Sequence, residues 1–358
     1  MVVTAVVLVG LVPATVAGLG YLVPTLAGLL RRRAAPRAPT HTFAVLVPAH
    51  NEEHTLPAAL RSLAVLDYPP ELVRVWVVAD NCTDGTAALA REAGAECVER
   101  HDPTKRGKGY ALAFALDRIL KTAPDAVLIL DADCELNPGA LRVFDEVLAT
   151  GTDAAQAAVV SRNADDGPAG LVAAVGAAFD DATAAGHDRL GGSVPLRGTG
   201  MAFRRAVLER VPWDAFGLVE DAEYGTRLKA AGVRVRYCAG AVVVNDAPPS
   251  VADLCQQRRR WRGAGLLASK PLVLAHLALT LVASIACGFA LWPIALATVF
   301  AGLYLRALFA VGLTRTRLGL LARSPLVVLR LGWVTLAGVV RRPGAWERTT
   351  RAAERKAA

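Results

Sequence analysis

Along the first two thirds of the chain, short apolar runs rich in β-branched residues alternate with stretches of helical spacing. Phe43-Ala-Val-Leu-Val47 is such a run, followed by a polar turn and by Leu56 to Leu66, where apolar side chains recur three and four apart. Val73-Arg-Val-Trp-Val-Val78 repeats the strand pattern and Thr86 to Ala93 the helical one. A further helix is predicted from Gly109 to Leu120, then a buried strand at Ala126-Val-Leu-Ile-Leu130. This rhythm implies an α/β fold with a mostly parallel sheet covered on both faces, spanning 42–262.

The polarity changes outside that stretch. Met1 to Leu30 holds no Asp, Glu, Lys or Arg, and as a helix it is long enough to cross a hydrocarbon core. Arg31, Arg32, Arg33 and Arg37 come after the run instead of before it, which favours a transmembrane anchor (1–30) over a signal peptide and places the chain beyond Leu30 in the cytoplasm. Pro271 to Leu305 is again uncharged, so 266–314 is expected to form a transmembrane hairpin turning near Trp292 and Pro293. The segment 318–358 combines apolar residues with Arg323 and Arg330 and ends in a basic tail. An interfacial or re-entrant helix fits it better than a crossing that would export those charges. The expected location is the cell membrane, multi-pass, with the polar domain cytoplasmic.

Composition agrees. Hydrophobic residues make up 54% and charged residues 20%, an apolar excess that a soluble chain would have to display on its surface. The net charge of +8 suits cytoplasmic loops beside membrane segments. With aromatics at 6% and no aromatic platform beside the basic run Lys105 to Gly109, no nucleic acid partner is expected. The 6 cysteines show no C-x-x-C spacing and read as reduced residues in a cytosolic setting.

Candidate chemistry sits where each apolar strand ends, the place where parallel sheets bind ligands. The first strand runs into Pro48-Ala-His-Asn-Glu-Glu53, the second into Asp80-Asn-Cys-Thr-Asp-Gly-Thr86, the third into Asp131-Ala-Asp133. Gathered carboxylates repel and are costly to desolvate, so stability alone does not ask for them. Asp131 and Asp133 offer hard oxygen ligands suited to Mg2+ or Mn2+, although a lone D-x-D is also common in turns. Asp80 has a plain alternative as part of a turn, and Asp84 or Thr83 as a helix cap. Lys108 precedes a helix N-terminus, a natural anion site. Gly198, Thr199 and Gly200 place small residues where backbone can approach a ligand, with an ordinary strand turn as the alternative. Glu220 and Asp221 open a helical pattern, where acids are favoured by the dipole whatever else they do. Gln257, Arg260 and Trp261 lie at a membrane boundary, where basic residues with a Trp are usual.

Taken in order, Asp80, Asp131/Asp133, Glu220/Asp221 and Gln257/Arg260/Trp261 resemble the D, D-x-D, E-D and Q-x-x-R-W series of the membrane-bound, processive-type family 2 glycosyltransferases, the cellulose, chitin, hyaluronan and poly-N-acetylglucosamine synthases. The resemblance implies a GT-A nucleotide-sugar domain and an inverting, metal-dependent transfer from a UDP-sugar donor to a glycan or lipid-linked acceptor. By resemblance, Pro48, His50, Glu52 and Asp80 would hold the uridine end, with Asp131, Asp133 and Lys108 at the diphosphate and its metal. Asp221 would be the general base, while Glu220, Gly198 to Gly200 and Gln257, Arg260 and Trp261 would lie toward the pyrophosphate and acceptor. The anchor and hairpin are too few to make a pore from one chain. Transfer to a membrane-held or short acceptor is therefore expected, or polymer synthesis assisted by a homo-oligomer or synthase partner. A polyprenyl-phosphate glycosyltransferase and a non-catalytic scaffold are the competing readings.

Overall fold

The computed structural model describes residues 2–29, 38–260, 282, 283, 285 and 291–340. In chain order the elements are α1 (Val2–Gly28), β1 (Phe43–Ala49), α2 (Leu56–Ala64), β2 (Val73–Asp80), α3 (Thr86–Glu92), β3 (Glu96–Arg100), α4 (Lys108–Ile119), β4 (Ala126–Ile129), β5 (Glu135–Leu136), α5 (Ala140–Ala149) and β6 (Ala154–Ser161). Then come α6 (Pro168–Arg189), β7 (Met201–Arg204), α7 (Arg205–Arg210), α8 (Glu220–Ala230), β8 (Val235–Asn245), α9 (Val251–Arg260), α10 (Leu291–Val311), α11 (Arg315–Leu321) and α12 (Ser324–Val340).

The chain divides into two compact units. Among the described residues, one comprises 38–162 and 191–246 and holds an eight-stranded sheet in the order β3-β2-β1-β4-β7-β6-β8-β5. β1 is flanked by parallel partners on both sides, β2 and β4, which is why Phe43 to Val47 reads as an unbroken apolar run instead of alternating. β7 runs antiparallel to β4 and to β6, and β5 antiparallel to β8, so the sheet is mixed around a parallel half. α4 shows how its helices are seated. Gly109, Leu112, Ala115, Leu116 and Ile119 recur three or four apart and are buried, while Asp117 and Arg118 face solvent.

Among the described residues, the other unit comprises 2–29, 163–190, 247–260, 282, 283, 285 and 291–340. The continuous 42–262 domain expected from the sequence is thus interrupted, since α6 and α9 group with the terminal helices. α1 meets α6 where a Cβ on Gly186 would overlap the backbone of Pro24, a helix approach only glycine allows. Tyr21 packs edge-on against Phe179, ring centroids 5.2 Å apart, and Phe179 against Tyr304 of α10 at 4.9 Å. Leu254 of α9 packs with Val327 and Leu331 of α12. Arg317 pairs with Asp165 at 2.7 Å.

Among the described residues one helix, Leu291–Val311, is long and apolar enough to cross a membrane, while Thr15–Gly28 and Ser324–Val334 are shorter apolar helices. Most of the expected hairpin's first arm lies outside the described residues. Trp292 and Pro293 stand in the first turn of α10 and not in a turn between two helices. Proline suits that position, where its missing N–H is no loss. The stretch 318–340 is divided between α11 and α12, with Pro325 in the first turn of the second. The basic tail from 341 onward lies outside the described residues. No disulfide joins the described cysteines.

Candidate functional site

Three loops leave the C-terminal ends of β1, β2 and β4, the edge at which polar clusters were expected. Pro48 is half-buried near the end of β1, in register with Val78 of β2. His50 Nδ1 donates to the Asp80 carbonyl at 2.7 Å, joining the first two loops. Glu52 is buried; its N–H donates to Thr86 Oγ1 at 2.8 Å and its carboxylate accepts from the Thr55 hydroxyl at 2.5 Å. Asn51 and Asn81 turn these loops in the left-handed region, φ 55° and 51°, which asparagine tolerates.

Asp80 is buried and paired with Arg100 at 2.6 Å. Arg100 also reaches Asp102 at 3.3 Å, and its guanidinium lies 5.8 Å from the ring centroid of Tyr110. Nothing in the local sequence marks Arg100. It is an ordinary charged residue at the end of β3, and only the parallel pairing of β3 with β2 sets it opposite Asp80.

The second cluster gathers around Lys108. Gly107, at φ +127°, turns the chain so that α4 begins with this lysine. Its ammonium lies 2.5 Å from Asp131 and 3.6 Å from Glu220, and donates to the Gly198 carbonyl at 2.7 Å. A Cβ on Gly198 would stand 3.5 Å from both Lys108 Nζ and Asp221 Oδ2, which places the Asp221 carboxylate beside the same ammonium. The structure therefore brings together Lys108, Asp131, Asp133, Gly198, Thr199, Glu220 and Asp221. Gly200, at φ +64°, comes next, where an added Cβ would run into Ala157 and Val243.

The electrostatics arise from this crowding. Burial pushes the Asp221 carboxyl above its ordinary range and the Asp131 charge adds to the rise, while Lys108 and the Ala222 N–H work against it. Glu220 is raised the same way, by burial first, with Asp221 and Asp131 adding to it and Lys108 opposing. Burial disfavours the charge on Lys108, but Asp131, Glu220 and Asp221 outweigh it and hold the ammonium above the usual lysine range. Four carboxyl groups, those of Asp131, Asp133, Glu220 and Asp221, thus gather near one ammonium.

Ligand atoms of Asp131, Asp133 and Cys134 lie within 4.8 Å of one another. The two carboxylates suit a hard divalent cation. Cys134 does not, because burial and the neighbouring Asp133 and Asp131 push its thiol well up, keeping it a protonated core side chain. Sequence reasoning also missed Gln156. This fully buried side chain on β6 donates to the Thr199 carbonyl at 2.8 Å and accepts from the Arg197 N–H at 3.0 Å, fixing the backbone that carries Gly198. A lone amide inside the run Ala154-Ala-Gln-Ala-Ala-Val-Val160 was the available signal.

Gln257 and Arg260 belong to α9, in the helical unit, and Trp261 lies outside the described residues. The described Q-x-x-R-W residues thus fall in a different unit from the carboxylate cluster.

The sheet unit has a GT-A-like α/β fold with acidic loops at one sheet edge. Residues 39–264 match the family described as Glycosyltransferase like family 2, and the chain belongs to that family. Among curated proteins it is 27% identical over 240 residues to the probable glycosyltransferase YdaM of Bacillus subtilis (strain 168), covering 61% of this chain and 53% of that protein. It is 27% identical over 238 residues to a beta-monoglucosyldiacylglycerol synthase of Synechocystis sp. (strain ATCC 27184 / PCC 6803 / Kazusa), covering 64% and 49% respectively. The chain spans about half the length of these relatives. Among solved structures, a mannosyltransferase from Pyrobaculum calidifontis in complex with GDP-Man and Mn2+ shares the fold, with TM-score 0.59 and 20% identity over 93% of this chain and 99% of that one.

Proposed function

We propose that the chain is a membrane-bound, inverting glycosyltransferase that moves a sugar from a nucleoside-diphosphate sugar, UDP-linked in this reading, to a hydroxyl of a lipid-linked acceptor. The observation that carries the reading is the meeting of Asp131, Lys108, Glu220 and Asp221 around one ammonium, with Asp133 beside Asp131. The Synechocystis relative, by its name a synthase of a glycosyl lipid, supports a lipid acceptor over a processively extended polymer.

In this mechanism Pro48, His50, Glu52 and Asp80 receive the nucleoside, with Arg100 neutralising Asp80. Asp131 and Asp133 would hold Mg2+ or Mn2+, and such an ion would supply positive charge beside the departing diphosphate. Lys108 contributes a fixed positive charge at the same place. Asp221 takes the proton of the acceptor hydroxyl as its oxygen bonds to the anomeric carbon; the bond from that carbon to the diphosphate oxygen breaks, and the nucleoside diphosphate leaves. Attack from the face opposite the leaving group inverts the anomeric centre. Burial suits Asp221 to this role, since a raised pKa makes a carboxylate a stronger base. Gly198 to Gly200 border the acceptor side, and Gln257, Arg260 and Trp261 are assigned by resemblance to closing over the pyrophosphate and acceptor.

The test is nucleotide release by detergent-solubilised protein across UDP-, GDP- and TDP-sugars, with Mn2+ or chelator, and with diacylglycerol, glucosyl-diacylglycerol or polyprenyl phosphate as acceptor. Metal-dependent release from one donor, stimulated by a glycerolipid, is expected. Stimulation by polyprenyl phosphate alone transfers the assignment to that acceptor class. Full activity in saturating chelator contradicts the metal role, and donor binding without release indicates a scaffold.

A further inference from the structure

Three successive residues at the start of α4 each engage the segment leading to or lining the proposed base. Lys108 reaches Gly198 and Glu220. Gly109 lies so close to the next loop that an added Cβ would overlap the Ala215 carbonyl oxygen and stand 3.1 Å from Phe216 Cα. The ring of Tyr110 stacks on that of Phe216, centroids 4.4 Å apart and planes at 11°. From the other direction the same loop is tied to α8. Trp213 stacks on Tyr224 at 4.3 Å, the Tyr224 hydroxyl donates to the Val211 carbonyl at 2.7 Å, and the Gly217 N–H donates to Glu223 at 3.2 Å.

We propose that Tyr110 is a positioning residue for the transfer step: its ring seats Phe216 and so fixes where Glu220 and Asp221 stand relative to Lys108 and Asp131. Phe216 is 42% exposed, so the stack adds little to the core, and what it holds is the last loop before the catalytic turn. Stacked aromatic rings attract one another beyond their burial, enough to order a loop without anchoring the fold. Arg100, beside the Tyr110 ring and paired with Asp80, ties the same seat to the proposed nucleoside end. The inference rests on the glycosyltransferase reading above. It adds the residue that aligns the base, and it assigns Tyr110 no contact with substrate.

The experiment compares Tyr110→Ala, Tyr110→Phe and Phe216→Ala with the wild type. It measures kcat and donor KM with the sugar nucleotide that the donor panel selects, and amide hydrogen exchange over 211–221. Misplacing a catalytic group by about an ångström costs up to about a hundredfold in rate, so Tyr110→Ala and Phe216→Ala are expected to lower kcat about ten- to a hundredfold. Donor KM should stay within about threefold, because the donor contacts are untouched. Exchange over 211–221 should quicken about tenfold, and Tyr110→Phe, which keeps the ring, should retain both properties. Unchanged kcat or unchanged exchange in Tyr110→Ala overturns the proposal, as does a loss in Tyr110→Phe equal to that in Tyr110→Ala. A wild type that releases nucleotide from no donor defeats the functional reading instead, and the exchange comparison then decides the seat alone.

Discussion

Lys108 answers carboxylates from two distant parts of the chain, Asp131 after β4 and Glu220 at the start of α8. Its charge opposes the burial that raises Asp221, so removing it should leave that carboxyl harder to ionise. In the proposed mechanism the working form of Asp221 is the anion, so activity should be lost as pH falls through its pKa. In Lys108→Gln the acidic limb of the kcat profile should therefore move to higher pH, alongside a lower maximal rate. A pH–rate series on both proteins checks this, and an unmoved limb would remove Lys108 from the account. At this scale Asp131 and Asp133 were legible because acids directly after a strongly apolar strand have no reason of stability to be there. Arg100, Tyr110 and Gln156 were not, since each acquires its partner only through contacts between segments far apart in sequence.

Among the elements, β1, β2 and β4 announced themselves as continuous apolar runs, and α2, α3 and α4 by their spacing. β6 escaped because Ala154 to Ala158 is alanine-rich, without the β-branched density that marks a strand, and β8 because Gly240 and Ala241 interrupt its pattern beside a register shift. These two strands nevertheless support the site through Gly200. Its φ of +64° excludes ordinary side chains, and a Cβ there would meet Ala157 Cβ and Val243 Cγ2, each at 2.7 Å. Gly200→Ala is expected to destabilise the sheet unit by about 2 kcal/mol through backbone strain and overpacking, read as a lower denaturation midpoint. An unchanged midpoint would mean that β6, β7 and β8 yield at this point.

For the whole molecule, the apolar excess was legible in composition, but its division was not. α6 carries ordinary polarity between two strands of the sheet, and its membership of the helical unit is set by contacts with α1 and α10 that no local pattern reveals. Under the proposed membrane-bound reading, with Leu291–Val311 long and apolar enough to cross, the protein should stay with the membrane in alkaline carbonate and be released by detergent. Recovery in the carbonate supernatant would contradict that assignment. The central claim is that the carboxylates gathered at the sheet edge act as one site, in which Asp221 takes a proton while its neighbours hold the diphosphate. With the diphosphate's charge met by Lys108 and by a metal that Asp131 and Asp133 would hold, the claim is tested most directly by nucleotide release from Asp221→Asn at saturating donor, acceptor and Mn2+, with donor binding measured on the same protein. Loss of a general base predicts a fall of about a hundredfold or more with donor affinity retained. Release at the wild-type rate would contradict the account.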